Sequence, residues 1–277
     1  MTFHEQPSRR ELDVLICTFG SEGLRRVAAM SAPAVEGVHY VVCCQNPDGD
    51  DLSGEAEIIL RRNDFELHVF ADRGLSVNRN HSIEVAKAPF ALISDDDIHH
   101  SARGLRAVME AFRSDPSLDV ATFRSEMPEA RVYPEAMHDL SKPFRFYYAV
   151  SFEIAFRTRS IRECPGLRFS ALAGIGAPRL GSGEEELFLH HAIRAGLRGR
   201  FFPVEILSHP GSTTSGRSAS DPRVLRAKGV VLRLVRGNMA ALMRYPVEAL
   251  RSPAPFLKAL WCYLDGFVYS VIHRREL

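Results

Sequence analysis

The chain has 277 residues, 45% of them hydrophobic and 25% charged, the make-up of an ordinary globular protein with room for one large or two small cores. Its formal net charge of +1 gives no global case for nucleic acid as a partner. The charge is uneven, however: Asp221 to Leu277 holds ten Lys/Arg against four Asp/Glu, or +6, and the remaining residues hold 25 against 30, or −5.

Met1 to Glu11 is polar and lacks the apolar stretch of a secretory signal, so a cytoplasmic protein is expected. Leu12-Asp13-Val14-Leu15-Ile16-Cys17 reads as a first strand and Ser21 to Met30 as a helix. His39 to Cys44 is a second strand, ended by the turn signal Gln45-Asn46-Pro47-Asp48-Gly49. Glu66 to Phe70 is a third strand. Ser76, as its cap, starts a helix that runs through Ala88. Ala88 to Ile93 is an apolar run containing a fourth strand, Phe90 to Ile93. Ser101 caps a helix through Phe112, and Asp119 to Phe123 is a fifth strand. Strands alternating with helices predict a parallel, Rossmann-like α/β sheet, in which ligands bind at the carboxyl ends of the strands. Thr18, Phe19, Gln45 and Asp95-Asp96-Asp97 all fall at such ends.

The acidic run Ser94-Asp95-Asp96-Asp97-Ile98 is the strongest chemical signal. Three adjacent carboxylates repel, and a divalent ion carrying a diphosphate offsets clustered oxygen ligands. The plain alternative is a solvated turn capping the next helix. Arg73 to Asn80 contains Asn78 and Arg79 in the first turn of a helix, a good anion site or simply a surface arginine. Neither a Gly-x-Gly-x-x-Gly after the first strand nor a Gly-Lys-Ser/Thr is present, which disfavours dinucleotide oxidoreductases and P-loop enzymes.

From about Ser125 to Ser170 the pattern fades into loops, except that Ser151 to Arg157 alternates like a half-buried strand. Ser182-Gly183-Glu184-Glu185-Glu186 opens a helix ending near Gly196. The glutamates either complement the helix dipole or supply a general base. Phe201 to Ser208 is a strand delivering His209 into the small-residue segment Pro210 to Gly216, where His209 is a metal ligand or a satisfied strand-end histidine. His99-His100 and His190-His191 lack a zinc-like spacing and read as surface or helix-face residues. Cys17, Cys43, Cys44, Cys164 and Cys262 read as reduced, mostly buried thiols.

The ordered set of strand then Thr-Phe-Gly, Gly-Leu-Ser-x-Asn-Arg, strand then Asp-Asp-Asp, Gly-Glu-Glu opening a helix, and strand then His-Pro resembles the family 2 glycosyltransferases of the GT-A fold, over roughly Leu12 to Gly216. The resemblance implies a mostly parallel central sheet flanked by helices. It also implies metal-dependent, inverting transfer of a sugar from a nucleotide-diphosphate sugar, most commonly a UDP-sugar, by an enzyme of the hexosyltransferase type. Mn²⁺ or Mg²⁺ would be held by Asp97, with Asp95 and His209 as further ligands. Asp95 or Asp96 would reach the ribose or the metal's waters. Asn78 and Arg79 would face the diphosphate or base, and Thr18, Phe19 and Gln45 the nucleoside. Glu185 is the implied base. The family has Asp at that place, which leaves Glu184 open. A metal-dependent nucleotidyltransferase or hydrolase would use the same aspartates, and a silent nucleotide-sugar-binding or assembly subunit is the reading outside enzymes.

The domain reading is a polar tail at 1–11, a glycosyltransferase domain at 12–216 and a basic, aromatic helical extension at 217–277. Arg223 to Tyr245 and Pro253 to His273 form amphipathic helices. They either lie on the cytoplasmic face of a membrane, suiting a glycan or lipid-linked acceptor, or pack on the body or on a second copy in a homo-oligomer.

Overall fold

The computed structural model describes residues 10–128, 131–142, 149–209 and 219–277. Glu129, Ala130, Pro143, Phe144 and the segment 210–216, expected in loops, lie outside the described residues. Two compact units emerge, one of Met1–Asp72, Asn78–Leu167 and Ala192–Pro210, the other of Arg73–Val77, Arg168–His191 and Gly211–Leu277. The segments 73–77 and 168–191, expected in the catalytic domain, therefore cluster with the C-terminal helices.

The chain opens with β1 (Leu12–Phe19), α1 (Gly20–Ala29), β2 (Val38–Gln45), α2 (Ser53–Leu60), β3 (Phe65–Phe70), α3 (Leu75–Val85) and β4 (Phe90–Asp95). It continues with β5 (His99–His100), α4 (Ala102–Ser114), β6 (Val120–Glu126), β7 (His138–Asp139), β8 (Ile154–Arg157), α5 (Thr158–Glu163), α6 (Glu184–Arg194) and β9 (Gly199–Ser208). All these strands belong to the first unit and form one sheet, ordered β3-β2-β1-β4-β8-β6-β9-β5, with β7 on β9. β3, β2, β1 and β4 are mutually parallel, and β6 and β9 are parallel to each other. β8 runs antiparallel between β4 and β6, while β5 and β7 run antiparallel to β9. The sheet is thus mixed but mostly parallel.

Sequence explains the parallel half. β1 and β4 are near-continuous apolar runs, buried up to their last residue, as strands covered on both faces must be. Asp13 is the exception inside β1. Fully buried, it accepts a bond from Arg10 Nε at 2.6 Å and from the backbone N–H groups of Lys87 and Ala88 at 2.6 and 2.9 Å. α3 accordingly stops at Val85 rather than Ala88. Pro89 biases the residue before it away from helical geometry, and Asp13 satisfies the amides released there.

Ser101 caps α4 as expected, its hydroxyl accepting from Gly104 N at 2.9 Å. Gly104 must be glycine, because a Cβ would fall 2.0 Å from the Ile206 carbonyl oxygen of β9. Ser151 to Arg157 differs from its reading. The first three residues are a 3₁₀ turn, and Ile154, Ala155 and Phe156 of β8 are all fully buried rather than half-buried, because β8 is an interior strand.

In the second unit α7 (Pro222–Arg236), α8 (Asn238–Arg251) and α9 (Phe256–Ile272) pack on one another. Asp221 caps α7 by accepting from Arg223 N, with Pro222 at the first helical position. α7 and α9 approach through glycine. A Cβ on Gly266 would fall 2.2 Å from Arg226 O, and one on Gly229 would fall 2.5 Å from Tyr263 O.

Candidate active site

The register places the candidate residues of the first unit on one edge. Cys17 of β1 pairs with Cys43 of β2 and with Asp95 of β4, so Thr18, Phe19, Gln45 and Asp95 all lie at neighbouring carboxyl ends. His209 follows β9, its N–H bonded to Glu126 O at 2.9 Å. Asn78 is buried in α3 and ties the strand ends together. Its Nδ2 donates to Thr18 O at 3.1 Å and to Cys43 O at 2.9 Å.

The three aspartates have different surroundings. Asp95 accepts from Arg79 Nη2 and Ser151 Oγ, both at 3.4 Å, and Arg79 is 1% exposed rather than a surface residue. Burial pushes the Asp95 carboxyl up from its ordinary range. Arg79 pulls it down, and Asp97 and Asp96 add to the upward push. Asp96 is gripped by Arg26, whose Nε and Nη2 donate to both carboxylate oxygens at 2.9 Å, and by Thr18 Oγ1 at 2.5 Å. Asp97 lies 3.5 Å from His209 Nε2. A hydrogen bond from that imidazole, against some burial, holds the Asp97 carboxyl below its ordinary range, so it stays ionised. Phe152 stacks on the His209 ring at 5.3 Å and fixes its plane.

A divalent ion of the Mn²⁺ or Mg²⁺ type takes one or two protein carboxylates and completes its shell with substrate phosphates and water, adjacent ligands lying about 3 Å apart. Asp97 and His209 offer an oxygen and a nitrogen near that separation. No group of three such side chains is assembled among the described residues. An ion held by this pair would have to draw its remaining ligands from elsewhere, such as phosphate oxygens and water.

At the ends of β2 and β3, Gln45 Nε2 donates to Asp72 Oδ1 at 2.7 Å, and His81 Nε2 lies 2.5 Å from Asp72 Oδ2. Burial raises the Asp72 carboxyl, but His81 and Gln45 outweigh it and hold it low. His81 stacks on Phe70 at 4.1 Å.

Glu184 and Glu185 belong to the second unit. Glu184 is 4% exposed and Glu185 half-buried, at the start of α6. Gly174 makes room for Glu184: its φ is +99°, and a Cβ there would lie 2.9 Å from the carboxyl carbon. Ser76 does not cap α3. It sits inside the helix and its hydroxyl donates to Ala173 O at 2.7 Å.

Arg26, Asp72, His81, Ser151 and Phe152 were not singled out from sequence. No local signal marks Arg26: Gly23, three residues earlier on α1, shows its role only in the fold, where a Cβ would fall 2.0 Å from Thr18 Oγ1. His100 corrects the reading of the histidine pairs as surface or helix-face residues, being buried and bonded to Ser94 Oγ at 2.9 Å.

No family model and no curated protein matches the chain. Solved structures do. The 1–349 fragment of S. aureus TarS in complex with UDP matches with a TM-score of 0.57 and 17% identity, over 95% of this chain and 72% of that one. The same fragment in complex with UDP-GlcNAc gives 0.57 and 17%, over 94% and 73%. The longer TarS structure gives 0.55 and 17%, over 94% of this chain and 43% of its own. The likeness is one of fold: a mostly parallel mixed sheet flanked by helices and followed by C-terminal helices, the GT-A fold.

Proposed function

We propose that the chain is an inverting glycosyltransferase that moves a sugar from a nucleotide-diphosphate sugar, a UDP-sugar first among them, to a hydroxyl of a glycan or lipid-linked acceptor. The observation that carries this reading is the set of carboxylates with Arg79 and His209 at the carboxyl edge of the sheet, in a fold shared with a protein crystallised with UDP and with UDP-GlcNAc.

Thr18, Phe19 and Gln45 line the nucleoside, with Asp72 and His81 fixing the Gln45 amide. Arg79 lies on the side of the diphosphate, while Asn78, whose amide N–H groups are taken by Thr18 O and Cys43 O, holds the strand ends rather than the phosphate. Asp97 and His209 would hold Mn²⁺ or Mg²⁺, which when bound would neutralise charge on the leaving diphosphate, while the neighbouring Asp95 is paired with Arg79. Glu185 is the base rather than Glu184, because a base has to meet an acceptor from solvent and Glu184 is buried. Its carboxylate takes the acceptor's proton as that oxygen bonds to the anomeric carbon. The bond from that carbon to the diphosphate oxygen breaks, the nucleoside diphosphate leaves with the electron pair, and the centre inverts.

The test is thermal unfolding with a panel of nucleoside diphosphates and UDP-sugars, with and without Mn²⁺ or Mg²⁺. Ligand at a hundred times its Kd adds about 2.7 kcal/mol. A metal-dependent rise with one nucleotide, followed by acceptor-dependent release of that nucleotide from its sugar, is expected. No rise with any nucleotide overturns the reading.

A further inference from the structure

In α9 the usual arrangement of a surface helix is reversed. Its inward face is built from Ala259, Cys262, Gly266 and Ser270 together with two tyrosines, and glycine contacts bring it close to α7. Its large aliphatic and indole side chains face outward: Leu257, Trp261, Leu264, Val268 and Ile272 recur every three or four residues and are 38–76% exposed. α8 does the same, burying Ala241, Tyr245 and Ala249 while Met239, Met243 and Leu250 are 69–74% exposed. Scattered apolar side chains on a surface need no account, but two successive helices with their apolar stripes turned to water do.

The charges around the stripes indicate what covers them. The carboxylates of these helices are largely neutralised from within the unit. Glu248 pairs with Arg244 and Arg251, and Asp265 with Arg226 and Arg179. Arg236, Lys258, Arg274 and Arg275 remain exposed. A second copy would bring the same cations against these, whereas an anionic lipid surface complements them and accepts the apolar stripe below its headgroups. At 17 residues α9 is about 25 Å long, and no described helix is long and apolar enough to cross a bilayer.

We infer that α8 and α9 form a docking face for an anionic membrane surface, with the α9 stripe inserted in the plane of the interface and Lys258 and the terminal arginines on the headgroups. The inference is independent of the sugar chemistry.

Trp261 is the chain's one tryptophan, which makes it a built-in reporter. The full chain is mixed with vesicles of phosphatidylcholine alone or with a third phosphatidylglycerol, and both sedimentation with the vesicles and Trp261 emission are read. Expected are co-sedimentation and a blue shift with the anionic vesicles only, reversed by salt. Lys258→Gln with Arg274→Gln weakens binding about fivefold per charge removed. Leu257→Gln with Val268→Gln abolishes the blue shift and leaves the unfolding midpoint unchanged, since both residues are more than half exposed. Equal binding to neutral vesicles, or no binding to either, overturns the inference. So does emission already blue-shifted without lipid, in a dimer that Leu257→Gln dissociates, because a second copy would then be the occupant.

Discussion

Gly23→Ala tests whether the clasp between Thr18 and Asp96 holds the site. An ordinary helical glycine replaced by alanine gains about 1 kcal/mol of helix stability. At Gly23 the new methyl group would lie 2.0 Å from Thr18 Oγ1 and 3.1 Å from Asp96 Oδ2. The Thr18 hydroxyl must swing away and lose its 2.5 Å bond to the carboxylate. A hydrogen bond to a charged group contributes about 1.5–3 kcal/mol, and residual crowding costs about 1 kcal/mol more. The balance is a net loss of about 2 kcal/mol. In a Thr18→Ala background the hydroxyl is already gone, and the closest remaining atoms lie at 3.1 and 3.3 Å. There Gly23→Ala should be neutral or stabilise by up to about 1 kcal/mol. Urea unfolding of the four proteins gives the coupling directly, expected at about 2–3 kcal/mol. Nucleotide-dependent thermal shifts on the same proteins show whether the displaced Asp96 matters to the donor. A Gly23→Ala protein more stable than the parent, or two changes that add within about 0.5 kcal/mol, would refute the reasoning.

His100 makes stability fall on acidification. Burial holds its folded pKa at about 3 against 6.5 for an ordinary histidine, so the unfolded chain binds the extra proton between those values. The contribution is complete above pH 6.5 and is lost as pH falls toward 3, at most about 5 kcal/mol, and His100→Phe should flatten that part of a pH series of urea midpoints. Asp13→Ala leaves the Lys87 and Ala88 amides without their acceptor, Arg10 keeping Glu66 as a partner, and should lower stability by about 2–4 kcal/mol in the same assay. Glu185→Gln should slow turnover by about 10²–10⁴-fold with nucleotide binding unchanged, read by release of the nucleoside diphosphate. Glu184→Gln should lower the unfolding midpoint instead, because its carboxyl is buried against Gly174. The reverse pattern would exchange their roles.

The parallel half of the sheet was readable because covering both faces of a strand leaves a local mark, a near-continuous apolar run, in β1, β2 and β4. α2 leaves no such mark: only Ile59 of its eight residues is buried, so no periodic stripe exists to find. β8 escaped for a different reason. Its insertion between β4 and β6 is set by pairing across more than thirty residues of chain, and neither neighbour appears in its own sequence. What was read as alternation in Ser151 to Arg157 is a 3₁₀ turn joined to a buried strand, a distinction that only the covering layers create.

The candidate site divides in the same way. That three aspartates end an apolar strand is local information, and it pointed to the carboxyl edge of the sheet. How the three differ is not local. At the end of a strand successive side chains diverge, so each neighbour in sequence meets a different partner in space. Asp96 meets Arg26 from α1, and Gly23 makes sense only once that helix lies over β1. Asp95 meets Arg79 from α3, while Asp97 meets an imidazole delivered more than a hundred residues later. The division has a chemical consequence. A cation approaching Asp96 would have to displace a guanidinium that already grips both oxygens, and at Asp95 it would meet the charge of Arg79. At Asp97 it meets a partner that itself carries a lone pair when neutral. Of three residues identical in sequence, Asp97 is the one whose surroundings favour a divalent ion, and Asp97→Asn is the substitution that should remove the metal dependence of nucleotide binding while leaving the clasp on Asp96 intact.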